Sequence, residues 1–268
     1  MKLKQLFFIA IIPFMVMVAG CNGNQFNLTQ DNSAGNELID EALKEMRNQM
    51  SWDYPVKPGM EEWNNLKTEQ ERIDALQVPE NILTNLSSDE FVKLCISFPS
   101  FGHYTAFNTP QEGFSIMVSR YKFFQYLLSK KDVGKYLIVA YKDADMSGFR
   151  TLPFSNDFWT IKLDYLELVI SQKNILESLT QEEKVELLLE TQVKVYEKAN
   201  SETFSSIPGL QSSIRILAGI LDIDEYPELN QSSKRQMITS FIQTGILEDT
   251  SLIDYILDMS NNYINAKK

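Results

Sequence analysis

Apolar residues recur every three to four positions along most of the chain, which is the spacing of one face of an α-helix. The clearest stretches cover residues 37–50, 111–130 and 157–172. In the first of these a single apolar stripe lies on a charged helix, in the second the apolar face is broad, and the third carries apolar residues at helical spacing. Alternation with a period of two, which marks a half-buried strand, is nowhere sustained. The pattern therefore predicts an all-α protein.

Five hydroxyl residues stand three positions before a Glu or Gln, which is the spacing of a capping box. The five pairs are Thr68 with Glu71, Ser87 with Glu90, Thr109 with Glu112, Thr180 with Glu183, and Ser233 with Gln236. In a capping box the two side chains satisfy backbone N–H groups that the first helical turn leaves without a partner. We therefore expect a helix to begin directly after each of these hydroxyl residues.

Two stretches of the chain resemble each other without gaps. Residues 81–94 read NILTNLSSDEFVKL, and residues 174–187 read NILESLTQEEKVEL. Each contains a short apolar segment, a capping hydroxyl and the beginning of a second helix, which together form a helical hairpin. Duplication and convergence on a common local pattern both explain the likeness. In either case we expect a multi-helix orthogonal bundle or a short solenoid-like stack of helical hairpins.

The N-terminus has the pattern of a secretory signal. Lysines at positions 2 and 4 precede an uncharged apolar run over residues 6–19, which is too short to span a bilayer comfortably. Residues 18–21, Val-Ala-Gly-Cys, resemble the lipobox of bacterial lipoproteins, in which the peptide before the cysteine is cleaved and the cysteine is acylated. We predict a lipoprotein signal peptide over residues 1–20 and a lipid on Cys21. An ordinary signal peptide with a cysteine nearby is the alternative.

The segment after Cys21 predicts a tether and a folded body. Residues 21–36 are rich in Asn, Gly, Ser and Thr, a composition that cannot bury enough surface to order itself. We therefore expect a flexible tether over residues 21–36 and a single all-α domain over residues 37–268. Asn22 favours the outer membrane, by resemblance to known lipoprotein sorting rules. Whether the body faces the periplasm or the cell surface stays open.

Charge narrows the choice of partners. The 268-residue chain is 44% hydrophobic and has a net charge of -11, which becomes more negative when the signal peptide and its two lysines are removed. An acidic protein repels phosphate backbones and anionic lipid surfaces. We therefore expect no nucleic acid partner, and we expect contact with the membrane through the lipid on Cys21 rather than through a basic face.

Residues for thiol or imidazole chemistry are scarce. His103 is the single His, and Cys95 is the single Cys besides Cys21. His103 would have to be the base of any Ser-His-Asp arrangement, and no G-x-S-x-G motif accompanies it. Cys95 lies in an apolar helical pattern, which predicts a buried and inert thiol. The sequence therefore gives no catalytic candidate of these types.

An acidic stretch begins like a calcium-binding loop. Oxygen-bearing side chains stand at alternate positions, at Asp143, Asp145 and Ser147. The twelfth position, which should be a bidentate Glu, is Phe154, so the strongest ligand is missing. We therefore predict no metal site and no cofactor. A pair of carboxylates is still available for glycan hydrolysis, but an acidic sequence gives no basis for choosing the pair.

Three aromatic residues accompany a loop that contains two prolines. Trp52 and Tyr54 lie within residues 51–59, SWDYPVKPG, and Trp63 follows shortly after. These rings are our candidate ligand contacts, because aromatic side chains around such a loop can form a stacking platform for sugars or a groove for a peptide. The alternative interpretation is that they pack the loop onto the helices.

One resemblance covers most of the chain after the signal peptide. The motifs that carry it are YPVKPG at residues 54–59, EW at 62–63, QVPE at 77–80, LS at 86–87, LC at 94–95, FP at 98–99, AFN at 106–108, EGF at 112–114, KD at 131–132 and the block 175–187. On these motifs the chain resembles a family of secreted and lipoprotein sequences of Bacteroidota to which no activity is assigned. The resemblance implies export and a shared architecture, and it implies no activity.

These observations favour a lipid-anchored envelope protein that binds or scaffolds a protein, peptide or glycan without catalysis. The scarcity of His and Cys is the main reason for preferring binding. The alternative is a carboxylate-dependent envelope hydrolase that acts on glycan. A concave pocket with two close carboxylates, one of them with a strongly raised pKa, would favour the hydrolase.

Overall fold

The computed structural model describes residues 52–144, 156–201 and 207–267. Within these ranges the regular structure is helical, with no strand, so the prediction of an all-α protein is confirmed. The signal peptide, Cys21 and the tether lie outside the described residues, as does the acidic stretch from Asp145 to Phe154. None of the described helices is long and apolar enough to cross a membrane.

Fourteen α-helices and one 3-10 helix follow one another along the described parts of the chain. The α-helices are α1 (Glu61–Asn65), α2 (Glu69–Ala75), α3 (Glu80–Leu83), α4 (Ser88–Ile96), α5 (Pro110–Arg120), α6 (Lys122–Ser129), α7 (Val133–Asp143), α8 (Asn156–Ile170), α9 (Lys173–Ser178), α10 (Gln181–Ala199), α11 (Ile207–Ile223), α12 (Pro227–Asn230), α13 (Arg235–Thr244) and α14 (Ser251–Lys267). The 3-10 helix, Phe101–Ala106, lies between α4 and α5.

Capping side chains fix most of the predicted helix starts. Thr68, Ser87 and Thr180 each form the full reciprocal capping box, before α2, α4 and α10. Thr109 caps α5 by accepting the backbone N–H of residue 112, and a proline fills the first helical position. The prediction at Ser233 is wrong, because a turn precedes α13 and that helix begins only at Arg235.

The helix predicted over residues 111–130 is broken at Tyr121. The backbone of this residue is extended, with φ -119° and ψ 108°, and α5 and α6 lie on either side of it. On one continuous helix Phe123 would lie about 180° around the axis from Phe114. Both rings are buried in the folded protein. The break therefore allows both apolar faces to pack against the same core, which one straight helix could not achieve.

Helix α11 lies at the centre of the fold. It packs against α8, α9, α10, α13 and α14, and its residues 213–221 are buried on all sides. A helix that is apolar around its whole circumference is expected in such a position. In a solenoid each helical pair contacts only its neighbours, whereas α11 is surrounded. The arrangement is therefore a bundle rather than a stack.

The repeated sequence forms the same local structure twice. The first copy contains α3, the cap at Ser87 and the start of α4, and the second contains α9, the cap at Thr180 and the start of α10. In both copies a short helix is followed by a capped longer one, as the sequence predicts. The second copy leads into α10, which forms one wall around the central helix.

Candidate functional site

The aromatic residues predicted as ligand contacts lie at or near the core. Tyr54 is only 2% exposed, and its ring makes an edge contact with Phe98 at a centroid distance of 6.1 Å. Trp52 and Trp63 are partly buried and pack against the same core. Tyr54 is therefore enclosed by protein, in keeping with the interpretation that these rings pack the loop onto the helices. A ligand contact at Trp52 or Trp63 stays a prediction.

Neither His103 nor Cys95 has the surroundings of a catalytic group. Cys95 is fully buried, and burial raises the pKa of its thiol to about 12, so the thiol stays protonated. Burial and the nearby Arg120 guanidinium lower the pKa of His103, which keeps its imidazole neutral. His103 Nδ1 has no hydrogen-bond partner among the described residues, whereas a catalytic His is oriented by such a partner.

A buried cluster of charges forms where α8, α10 and α11 meet. Lys198 of α10 donates hydrogen bonds to Glu167 Oε2 at 2.6 Å, to Asp164 Oδ1 at 3.2 Å and to the carbonyl of Gly209 at 2.9 Å. The Lys198 and Glu167 side chains are both 0% exposed, and that of Asp164 is 21% exposed. The arrangement is a buried ion pair with a second carboxylate at its edge.

Glu167 is fully used as a hydrogen-bond acceptor. Its Oε1 accepts from the hydroxyls of Tyr141 at 2.6 Å and Ser213 at 2.7 Å, and its Oε2 accepts from Lys198 and from Ser212. A carboxylate offers about four acceptor sites, and all four are occupied here. Glu167 therefore has no lone pair left for a substrate or a water.

Ser212 lies between the two carboxylates. Its Oγ is 2.8 Å from Asp164 Oδ1 and in close hydrogen-bond contact with Glu167 Oε2. A hydroxyl has one proton, so Ser212 can donate to only one of the two carboxylates. The contact with the other is a hydrogen bond only when that carboxyl group is protonated and donates to Ser212 Oγ. Burial raises the pKa of Asp164 to about 6, Lys198 opposes this rise, and Glu167 adds to it. Asp164 is therefore the member of the pair that takes up the proton.

Lys198 is not a general base for Ser212, although its Nζ lies 3.4 Å from the serine Oγ. A serine–lysine dyad requires a neutral amine. Burial by itself lowers the pKa of Lys198, but Glu167 and Asp164 outweigh this effect and raise it above its ordinary value. The ammonium is therefore retained at neutral pH, and Ser212 is not activated by it.

A cavity of about 50 Å³ lies between α8 and α11. Its lining residues are Tyr104, Pro110, Asp164, Leu168, Ser171, Gln211, Ser212, Arg215 and Gly245. Asp164, Leu168 and Ser171 are four and three residues apart on α8, so they share one face of that helix. Ser212 and Arg215 share a face of α11 for the same reason. The cavity is therefore built by the facing sides of two packed helices.

Arg215 brings a positive charge into this cavity. It is 5% exposed, and it donates to the carbonyl of Ile242 at 2.9 Å, to Ser171 Oγ at 3.2 Å and to Gln111 Oε1 at 2.6 Å. All three acceptors are neutral, and no carboxylate of the described residues forms an ion pair with it. Burial lowers its pKa to about 10, so the guanidinium is still charged at neutral pH.

An unbalanced buried charge of this kind is unusual, because buried charges are normally paired. The guanidinium has five N–H donors, and its three contacts with protein acceptors leave two of them. Arg215 is therefore well placed to bind an anion that enters the cavity.

The close approach of Gly113 to the backbone of Tyr104 sets one wall of the cavity. A Cβ atom at Gly113 would lie 2.2 Å from the Tyr104 carbonyl oxygen, so only glycine fits. The Tyr104 hydroxyl donates to the carbonyl of Ile161 on α8 at 3.3 Å. The ring is thereby held between the 3-10 helix and α8.

No family model, curated protein or solved structure matches the chain. The cavity residues are also not among those that the sequence patterns single out. A signal was present, however, because Arg215 interrupts an otherwise apolar run in α11. A helix that is apolar on all sides buries whatever polar residue it carries, and such a residue needs a partner.

Proposed function

We propose that this protein is a non-enzymatic binding protein of the cell envelope. In this proposal the lipid on Cys21 attaches it to the outer membrane, and the helical body binds a small anionic ligand, or the anionic end of a larger one, between α8 and α11. The observation that carries the binding site is Arg215, a buried guanidinium that lines a cavity and has only neutral acceptors. A negative ligand would supply the missing counter-charge.

A carboxylate-dependent hydrolase is the alternative, and Asp164 and Glu167 are the pair to consider. The pKa of Asp164 is raised, which such an enzyme needs in its general acid. However, Glu167 is completely buried, has all its acceptor sites occupied, and does not line the cavity. Glycosidases require both carboxylates to flank the scissile bond. Glu167 does not line the cavity and has no free acceptor site, so binding is the better-supported function.

The binding site is tested with acetate as a probe. We expect acetate to raise the melting temperature of the protein, because a ligand that binds only the folded state stabilises it by mass action. Arg215→Met should abolish the shift. Arg235→Met is the matched control, since Arg235 is a partly exposed arginine paired with Asp222 at 2.6 Å. An equal acetate shift in Arg215→Met and in the wild type would refute the site.

The anchor is tested separately. Cys21→Ser should leave the protein in the soluble envelope fraction, and the wild type should carry the mass of an acyl group that the variant lacks. Unchanged membrane association, with no acyl mass in the wild type, would refute the lipid attachment while leaving the binding site to its own test.

A further inference from the structure

We infer that the ligand of this cavity is a small amino-carboxylate, with its carboxylate bound by Arg215 and its ammonium bound by Asp164. This inference rests on the proposed function and names the chemical class of the ligand. It adds to the anion site a second recognition group of opposite charge, held in a separate hydrogen-bond network.

The two charged groups belong to different parts of the cavity wall. Asp164 is bound to Ser212 and to Lys198, whereas Arg215 is bound to Ser171 and to Gln111. Asp164 and Ser171 are seven residues apart on α8, which corresponds to about 10 Å along the helix axis. Asp164 and Arg215 form no ion pair, although they line the same cavity. The structure therefore places a negative and a positive group at one small cavity without pairing them with each other.

A ligand with one charge should bind in this cavity, but more weakly than a ligand with both charges. A simple carboxylate would satisfy Arg215 but would bring a second negative charge near Asp164, and like charges repel strongly in a poorly solvated site. An amine alone would contact Asp164, which already pairs with Lys198, and would leave Arg215 without a counter-charge. A molecule that carries both groups pairs with both side chains, and each contact is a charge-assisted hydrogen bond.

Size and wall chemistry limit the ligand further. A volume of about 50 Å³ corresponds to about four water positions. That space suits a molecule of about five heavy atoms, such as glycine, or the charged end of a longer molecule such as β-alanine or 4-aminobutyrate. Leu168, Pro110 and the Tyr104 ring supply apolar surface for the methylene groups between the two charges. A bulky side chain close to the charged groups would not fit.

Isothermal titration calorimetry at pH 7.5 tests the inference with matched pairs of probes. Each amino-carboxylate is compared with the carboxylate of equal carbon number: glycine with acetate, β-alanine with propionate, and 4-aminobutyrate with butyrate. We expect at least one amino-carboxylate to bind tenfold or more tightly than its partner probe. Asp164→Asn should reduce that ratio to within twofold, and Asp164→Glu should retain a preference. Asp222→Asn, which removes a carboxylate outside the cavity, should leave the ratio unchanged.

The outcomes separate this inference from the proposed function. If the simple carboxylates bind as tightly as the amino-carboxylates, or if Asp164→Asn keeps the preference, the inference is wrong. Binding that is abolished by Arg215→Met would still support the anion site in that case. If none of the probes binds the wild type, both proposals fail. The wild-type ratio decides the question even if a variant does not fold.

Discussion

Removal of the buried ammonium of Lys198 should destabilise the protein strongly. Lys198→Met keeps the length and most of the apolar surface of the side chain but removes the charge. The variant leaves Glu167 completely buried, 2.6 Å from where the ammonium stood, with Asp164 beside it. Breaking a buried ion pair by removing one partner typically costs about 3–5 kcal/mol, because the remaining charge is left uncompensated. We expect a loss of this size at pH 8.

The loss should decrease at lower pH. In the wild type the pKa of Asp164 is already raised to about 6, so protonation removes one of the two negative charges as the pH falls through this range. Without Lys198, Asp164 loses the ammonium that lowers its pKa, so this carboxyl has a stronger tendency to take up a proton in the folded state. A carboxyl whose pKa is raised by folding favours the folded state at low pH and disfavours it at high pH. The variant should therefore be closer to the wild type at pH 5 than at pH 8.

Urea unfolding followed by circular dichroism measures the free energy of unfolding at both pH values. Lys142→Met is the control, because Lys142 Nζ also lies 2.6 Å from a carboxylate oxygen, that of Glu186, but both side chains are about half exposed. It should lose only a small part of what Lys198→Met loses. The double variant Lys198→Met with Glu167→Gln should recover part of the stability. Equal losses in the two lysine variants, or a loss at pH 5 as large as at pH 8, would refute this account of the cluster.

Three further predictions concern stability. Gly113→Ala should lower the free energy of unfolding by about 2–3 kcal/mol, because the added Cβ would meet backbone atoms of Tyr104 in the cavity wall. Gly102→Ala is the control, since its Cβ would make an ordinary 3.5 Å contact and should change the free energy of unfolding little. The raised pKa of Asp164 predicts that the contribution of this carboxyl to the free energy of unfolding falls by about 2 kcal/mol from pH 4 to pH 7. Asp164→Asn should remove this contribution from the pH dependence measured by urea unfolding, and an unchanged pH dependence would contradict the prediction. Thr180→Ala removes the capping hydroxyl of α10, so it should lower the free energy of unfolding by about 1 kcal/mol and lower the melting temperature. Ser233→Ala should leave the melting temperature unchanged, because Ser233 does not cap a helix.

Local physics explains why most helix starts were predictable. A capping box is formed by residues three positions apart, so the signal at Thr68, Ser87 and Thr180 is contained in the sequence itself. The break at Tyr121 is different, because its cause is the packing of two apolar faces against one core. A pattern of spacing shows that both faces are apolar, but it does not show that they meet the same core.

The candidate site is predictable only in part, for a related reason. Lys198 contacts Glu167 from 31 positions away, and Arg215 contacts Gln111 from 104 positions away. Such pairs depend on how α8, α10 and α11 are placed relative to one another, which no local pattern contains. The sequence does show that Arg215 interrupts an apolar run over residues 214–221. It does not show which groups surround the guanidinium.

The central position of α11 has a consequence for the order in which the protein folds. Helices α8 and α10 are synthesised before α11, yet each buries part of its apolar face against it. Lys198 also needs the carbonyl of Gly209, and Glu167 needs the hydroxyls of Ser212 and Ser213, all of which belong to α11. A growing chain that has not yet released α11 therefore lacks a complete core, and stable folding waits until the last quarter of the sequence is available. Such a delay would suit the proposed export, because translocases for unfolded chains require a substrate that has not yet folded.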